Sequence, residues 1–320
     1  MIIGISSPLT PEVFFPGEDS WPQISPGQAL SSLWSAAGNG DVVWYVRPDD
    51  RRWGSWSTLL LVDDVPCSQF DGMVDHLRRG GALPDRTACI ALSGLGFHGQ
   101  RNRSWSVRRG NLHLVAHFAP QRPAKEIGHG FTLLPAVAAI RAIRRLGGGL
   151  VDAGVKWVND IVVDGRKVGG LLASTQTQDG IVRDAVLGLG INIDSVPEVA
   201  ATPFVPLVGC LRDLDPACRL PTLLPVLLRE LLGLYDRLLG EGFVPLLEAY
   251  REYAVVIGRP VRVWPETEAG SADQLRGVPP LARGVVRAIA DDLSLIIEGH
   301  PEPVNRGRLA GEEACRQFGL

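Results

Sequence analysis

The dipeptide Asp164-Gly165 stands between two runs that both read as strands, and it constrains this chain more than any other short stretch. Ile161 to Val163 is β-branched and Lys167 to Ser174 resumes after the turn; a two-residue Asp-Gly connection favours a tight hairpin whose twist matches its strands. Asn159 and Asp160 then stand at the entrance of the hairpin and Lys167 just beyond its turn, so polar groups converge on one side. Gly169-Gly170 lets a ligand approach the backbone. An ammonium, a carboxylate and a close-approach glycine pair suit a small carboxylate held beside a phosphate, with the lysine offsetting charge that grows during reaction. The same residue types also occur on solvated hairpins, and the stretch alone leaves both readings open.

Elements of both kinds surround the hairpin. Trp56 to Asp63 and Thr87 to Leu92 read as buried strands, Asn111 to Phe118 as a third strand, and Ile181 to Ile193 as a fourth. Phe70 to Arg79, Phe131 to Leu146, Leu223 to Leu239 and Val244 to Tyr253 carry apolar residues at helical spacing, and Gly147-Gly148-Gly149 ends the second of these. Val196 to Leu220 is a proline-broken connector. Gly258 to Trp264, Ala282 to Ala290 and Leu293 to Glu298 read as short strands with turns at Pro265 to Pro280 and at Asp291-Asp292, as in a small β-barrel. His113 and His117 are four apart, but on a strand that spacing only places them on one face, and no third ligand makes a zinc set. Residues 1 to 54 are rich in Pro, Gly and Ser with scattered tryptophans; within them only Gln28 to Ala37 and Asp41 to Val46 look regular.

Composition excludes several classes. With 45% apolar and 21% charged residues over 320 positions the chain is an ordinary globular one, and its net charge of −3 provides no basic field for nucleic acid. Five cysteines, an odd number without a Cys-x-x-Cys pair, argue against a disulfide framework or zinc ribbon and fit a reducing cytoplasm. The amino terminus lacks a basic start and a sustained apolar segment, and no uncharged apolar run is long enough to span a bilayer.

The stretch Lys156-Trp157-Val158-Asn159-Asp160, followed by the hairpin and by Lys167 and Gly169-Gly170, resembles the Lys-Trp-Pro-Asn-Asp signature of the biotin protein ligase family, with Val158 in place of the proline. Three further segments agree in order: Arg103-Ser104-Trp105 followed by Gly110-Asn111-Leu112, then Gly188 to Ile193, then the small carboxy-terminal β-module. The likeness runs roughly from Trp56 to Gly311, and ordered motifs are more specific than any one of them. It implies an α+β fold: a mixed β-sheet of the class II aminoacyl-tRNA synthetase and biotin ligase type with packed helices over residues 55–256, then an SH3-like β-barrel over 257–320. Residues 1–54 are an extension of unknown role. Many members carry an operator-binding helix-turn-helix at this end, but no such helix pair is readable here.

The resemblance also implies a reaction. A carboxylate, biotin in the family, attacks the α-phosphate of ATP with Mg²⁺ present, and a lysine of a biotin carboxyl carrier domain then attacks the acyl-adenylate. Lys167, Asp160 and Arg103 are the expected catalytic set, with Asp160 orienting Lys167 or the ligand. Ser68, Gln69, Gly99, Gln100, Arg101, Trp105, Gly110, Asn111, Lys156, Trp157, Asn159, Gly169 and Gly170 are expected at the substrate, and Gly190 and Asn192 at the nucleotide; no residue is expected to ligate metal. A homodimer is compatible with the resemblance. Departures are concentrated where the family closes over biotin: Gln69 stands for a Thr, Phe97 for a glycine, His98 and Gln100 for arginines, and no glutamine precedes the loop. A lipoate or octanoate ligase or acyltransferase, in which Cys67 is the placed thiol, and a binder without turnover are the alternatives. The first group's Arg-Arg-x-x-Gly-Gly-Gly loop is absent, and a pure binder has no need of Lys156, Asp160, Lys167 and Arg103 together.

Overall fold

The computed structural model describes residues 1–6, 22–25, 42–46, 53–148, 151–266 and 271–320. Its centre is a mixed sheet of eleven strands. Three come from the first fifty residues, β1 (Ile2–Ser6), β2 (Gln23–Ile24) and β3 (Val42–Val46). Then follow β4 (Thr58–Val65), β5 (Thr87–Gly94), β6 (Leu112–Phe118), the short β7 (Arg122–Pro123), β8 (Ala153–Lys156), β9 (Asp160–Val163), β10 (Arg166–Gln178) and β11 (Ile181–Ile191). The order across the sheet is β2-β3-β1-β4-β5-β6-β11-β10-β9-β8, with β7 paired to β11. β4 runs parallel to β1 and β5, and the remaining pairs are antiparallel.

The first residues are thus hydrogen-bonded into the main sheet, β1 lying between β3 and β4. Trp44 and Trp53 are buried there, while Gln28 to Ala37, Trp21 and Trp34 lie outside the described residues. β1 is a strand the sequence reading did not anticipate, since Ile2-Ile3-Gly4-Ile5 is too short to show a period.

Helices cover one face of the sheet. Gly130–Leu146, Leu220–Glu241 and Val244–Tyr253 pack on it, and the largest core cluster gathers their leucines with Leu61, Ile90, Leu114, Leu171 and Leu189. On the opposite face the helix Gln69–Arg78 covers only part of the area, placing Met73, Val74 and Leu77 against Leu60, Val62, Cys89, Ala91 and Val115. The rest of that face is where the candidate site lies. After the helices, β12 (Pro260–Trp264), β13 (Ala282–Ile289), β14 (Leu295–Ile297) and β15 (Arg308–Gly311) form a four-stranded antiparallel sheet in the order β14-β13-β12-β15, closed by the helix Glu312–Gln317. The last strand and helix were missed in the sequence, and β15 brings a residue to the site.

Candidate active site

The expected hairpin is β9-β10, with Arg166 opposite Val163 and both Asp164 (φ 49°) and Gly165 (φ 73°) in the left-handed region that a tight two-residue turn of this type requires. Its register is not regular. The pairing shifts between Lys167 and Gly169, because Lys167 faces Val162 while Gly169 faces Ile161, so Val168 is an extra residue in the strand. Without that bulge Lys167 would point to the face opposite Gly170; with it, Lys167, Asp160 and Gly170 share one face. Lys167 Nζ lies 2.6 Å from Asp160 Oδ1, with both side chains about one-fifth exposed. The sequence placed these two together, but the bulge that re-aims the lysine has no signature in it.

A row of directly opposed residues crosses the sheet from this ion pair. Asp160 faces Gly170, Gly170 faces Gly190, Gly190 faces His113, and His113 faces Ala91. Opposed residues share a face, so this row is a floor with a charged end, two glycines in the middle and a histidine beyond them. Trp105 lies on the glycines: a Cβ at Gly190 would come within 2.6 Å of its Cε2, and one at Gly170 within 3.1 Å of its Cζ3. The Lys167 ammonium stands 5.9 Å from the Trp105 ring centroid.

The loop Phe97 to Trp105 forms the wall. It is bonded to itself through Gly99 N to Arg103 O at 2.7 Å and Trp105 N to Phe97 O at 3.0 Å. It is also tied to the helix Gln69–Arg78 by His98, whose Nε2 is 2.8 Å from Asp71 and whose Nδ1 is 3.0 Å from the Gly99 carbonyl. Arg103 donates from Nε to Gln100 O at 2.9 Å and stays largely exposed on the cavity rim. Phe97 packs edge-on to His113 at 5.4 Å.

Of the residues expected at the site, Lys167, Asp160, Arg103, Ser68, Gln69, Gly99, Gln100, Trp105, Asn159, Gly170, Gly190 and Asn192 line one cavity. Six others are placed elsewhere among the described residues. Arg101 turns outward onto Glu266 of the segment after β12, linking the loop to the carboxy-terminal module. Asn111 is fully buried and clamps the next turn, its Oδ1 accepting from the amides of Ile193, Asp194 and Ser195 and its Nδ2 donating to Ser195 O. Gly110 packs on Asp194, where a Cβ would come within 2.7 Å of Oδ2. Lys156, opposite Asp160 on the neighbouring strand, donates to the Phe204 carbonyl, and burial pushes its ammonium down to about 8 against the opposing pull of Asp160. Trp157 donates to Leu293 O at 2.7 Å, joining the sheet to the small module. Gly169 makes its close approach to the Gly190 carbonyl, 2.9 Å from a would-be Cβ, inside the sheet. These six support the site's frame.

Among the lining residues that were not singled out for the site in the sequence are Arg308 and His113. Arg308 arrives from β15, its guanidinium 3.8 Å from the centre of the Phe204 ring, and burial followed by repulsion from Arg103 pushes its pKa down to about 10. His113 is 2% exposed, and burial pushes its imidazole down to about 4 although the Arg108 carbonyl pulls the other way. Its alternation with Leu112 and Leu114 was the available signal; its pairing with Gly190 was not legible. Arg103, Lys167 and Arg308 face a single carboxylate, Asp160, in the cavity lining, so that end suits an anion.

Residues 82–192 match the model of the biotin/lipoate A/B protein ligase family. The chain is 32% identical over 215 residues to the bifunctional ligase/repressor BirA of Escherichia coli K12, covering 66% of this chain and 62% of that protein. It is 26% identical over 195 residues to the BirA of Bacillus subtilis, covering 58% and 57%. The biotin--[acetyl-CoA-carboxylase] ligase of Paracoccus denitrificans is 27% identical over 207 residues, covering 63% and 79%. The chain thus spans about three-fifths of the length of the two BirA proteins. Among solved structures, a biotin protein ligase from Aquifex aeolicus in complex with biotin and ATP superposes with a TM-score of 0.59 at 15% identity, covering 80% of this chain and 99% of that one. A biotin protein ligase-like protein of unknown function from Silicibacter sp. gives 0.53 at 17%, covering 76% and 93%. At these identities the structural likeness concerns the fold.

Proposed function

From the match of residues 82–192 to the biotin/lipoate A/B protein ligase family model and the similarity to BirA, we propose an ATP-dependent biotin--protein ligase. The observation that carries this reading is the Lys167–Asp160 pair at the cationic end of a glycine-floored cavity. In the first step a carboxylate oxygen of biotin bonds to the α-phosphorus of ATP, the bond from that phosphorus to the bridging oxygen breaks, and pyrophosphate leaves. Lys167 stands where it meets both the acid and the α-phosphate, and it offsets the charge that grows on the phosphate oxygens. Arg103 and Arg308 flank the same anion. Asp160, 2.6 Å from the ammonium, orients Lys167.

In that second step the uncharged amine of an acceptor lysine bonds to the biotinyl carbonyl carbon, the bond from that carbon to the phosphate oxygen breaks, AMP leaves, and the nitrogen gives up one proton to solvent as the amide forms. A biotin carboxyl carrier domain is the acceptor this reading requires, and a homodimer is compatible with it. In this reading Mg²⁺ enters with the ATP, and the one carboxylate in the cavity lining is paired with Lys167. Five free cysteines accord with a cytoplasmic setting, and no helix among the described residues is long and apolar enough to cross a membrane.

The test is to incubate the protein with ATP, Mg²⁺ and, separately, biotin, lipoate or octanoate, following pyrophosphate release and acyl-AMP mass. Release with biotin is expected; release only with another acid, or with none, refutes the reading.

A further inference from the structure

The connector after β11 does not run free over the cavity. Thr202 and Val205, both in the cavity lining, exchange amide hydrogen bonds at 3.0 and 3.1 Å and pinch off a tight turn with Pro203 and Phe204 at its centre. Just beyond, Lys167 N donates to Leu207 O at 2.9 Å and Gly209 N donates to Lys167 O at 3.0 Å, so the turn is anchored beside the lysine. Phe204, 4% exposed, leaves the connector and packs into the small module with Trp264, Leu275, Ala310 and Cys315, edge-on to Trp264 at 6.0 Å. It meets two cations there. The Arg308 guanidinium lies 3.8 Å from its ring centre, and its carbonyl accepts from the Lys156 ammonium. Arg101 on Glu266 ties the loop Phe97 to Trp105 to the same module, so both covers of the cavity are attached to it.

These contacts set a direction along the floor. Lys156 faces Asp160 from the edge strand β8 and extends the row His113, Gly190, Gly170, Asp160 by one residue. Phe204 and Arg308 therefore lie past Lys167, at the end away from His113. Stacking on the ring fixes the plane of the guanidinium, and its N–H groups, which lie in that plane, are aimed sideways. Arg308 and Arg103 repel each other in the cavity lining, and Asp160, which attracts Arg308, is already held by Lys167. An arrangement that holds like charges together suits a polyanion. Resting on the ligase reading above, we propose that Phe204 is a positioning residue for the first step: it holds Arg308 over the outer end of the cavity, where the guanidinium receives the two phosphates that depart as pyrophosphate. Lys167 keeps the α-phosphate. The acyl-adenylate carries that phosphate alone, so Phe204 and Arg308 belong to adenylation and not to the transfer onto the acceptor lysine.

The experiment compares the full chain with Phe204→Leu, Arg308→Gln and the double variant in biotin-dependent pyrophosphate release, and in its inhibition by added pyrophosphate and by AMP. Each single variant is expected to raise the ATP KM about 10-fold and to weaken inhibition by pyrophosphate by about the same factor, the loss of one charge-assisted contact. Inhibition by AMP and calorimetric affinity for biotin should stay near those of the parent, which a general loss of structure would not allow. Because Phe204 acts through Arg308, the double variant should be no weaker than Arg308→Gln, whereas two independent losses would multiply. Unchanged pyrophosphate inhibition in Arg308→Gln, multiplying losses in the double variant, or AMP inhibition that falls in step overturns the inference. If the parent releases no pyrophosphate with biotin, the ligase reading falls and takes this one with it. If the parent releases it and pyrophosphate inhibits Arg308→Gln as it inhibits the parent, this inference alone falls.

Discussion

On the face turned to the helices, Leu171, Leu189, Leu114 and Ile90 run side by side across four strands, all buried. One residue earlier on β10 and β6, and one later on β11 and β5, Gly170, Gly190, His113 and Ala91 run across the same four strands on the other face. The strands are shared and only the parity differs, yet one row is an unbroken apolar surface and the other is a floor of glycine and one uncharged imidazole. Because a slip of one residue would exchange the two rows, the leucine row also holds the chemistry in place: its burial fixes the register that aims His113 and Asp160 into the cavity. The helix-covered face supplies stability, and the half-covered face spends it on a paired lysine.

The sharpest way to break that division is at the two faces' strongest residues. Lys167→Ala removes the cation at the charged end, and its biotin-dependent adenylate formation should fall by on the order of 10³, about 4 kcal/mol of transition-state stabilisation. Pyrophosphate release measures this, and a loss of only a few-fold would put the active centre elsewhere. Leu114→Ala acts on the opposite row: a fully enclosed leucine should cost about 3 kcal/mol of folding stability by denaturant titration, with the biotin KM of the protein that remains folded nearly unchanged. A large KM change in that variant would mean the two faces are coupled through more than register.

The same contrast explains what was legible in the sequence. Apolar periodicity gave the helices, the central strands and the hairpin, because burial leaves a period and Asp164-Gly165 marks the turn. Ordered motifs gave twelve of the cavity's lining residues. What stayed hidden depends on pairing between distant strands: the bulge at Val168 that turns Lys167 onto the face of Asp160, the alignment of His113 with Gly190, and the arrival of Arg308 on β15. Asn111 and Gly110 were read as substrate contacts since they travel with the motif; the structure gives them to the Ile193–Ser195 turn. Membership in an ordered motif does not by itself separate a residue that lines the cavity from one that is bonded into its frame.

Gly190→Ala sharpens the comparison from inside the floor. A methyl group there meets Trp105 at 2.6 Å from its Cε2, in a side chain that stands on the glycines, so the indole must move. The expected outcome is a biotin affinity about 10-fold weaker and a stability loss of about 1 kcal/mol, the range of a single overpacked methyl. Calorimetry and a thermal melt together check it; unchanged affinity would mean that Trp105 is not part of the bound wall.

The smallest expected effect lies at the cavity's outer wall, where the polar latch of His98 on Asp71 replaces packing. Burial alone would lower the His98 pKa, but hydrogen bonds to the Gly99 carbonyl and to Asp71, with the charge of Asp71, outweigh it and leave the pKa raised above 6.5. A histidine raised in this way adds stability that is fully present below its ordinary value and is lost as pH rises through the raised one. The loop Phe97 to Trp105 should therefore open more readily as pH climbs past 6.5. Hydrogen exchange of peptides covering the loop, corrected for intrinsic rates, should show only a few-fold loss of protection across that rise, since Asp71 is half exposed and screened. Asp71→Asn should weaken the pH dependence to the part that the Gly99 carbonyl sustains, while leaving the exchange of β6 and β11 unchanged. A pH dependence undiminished in that variant would mean that the Asp71 contact does not hold the wall.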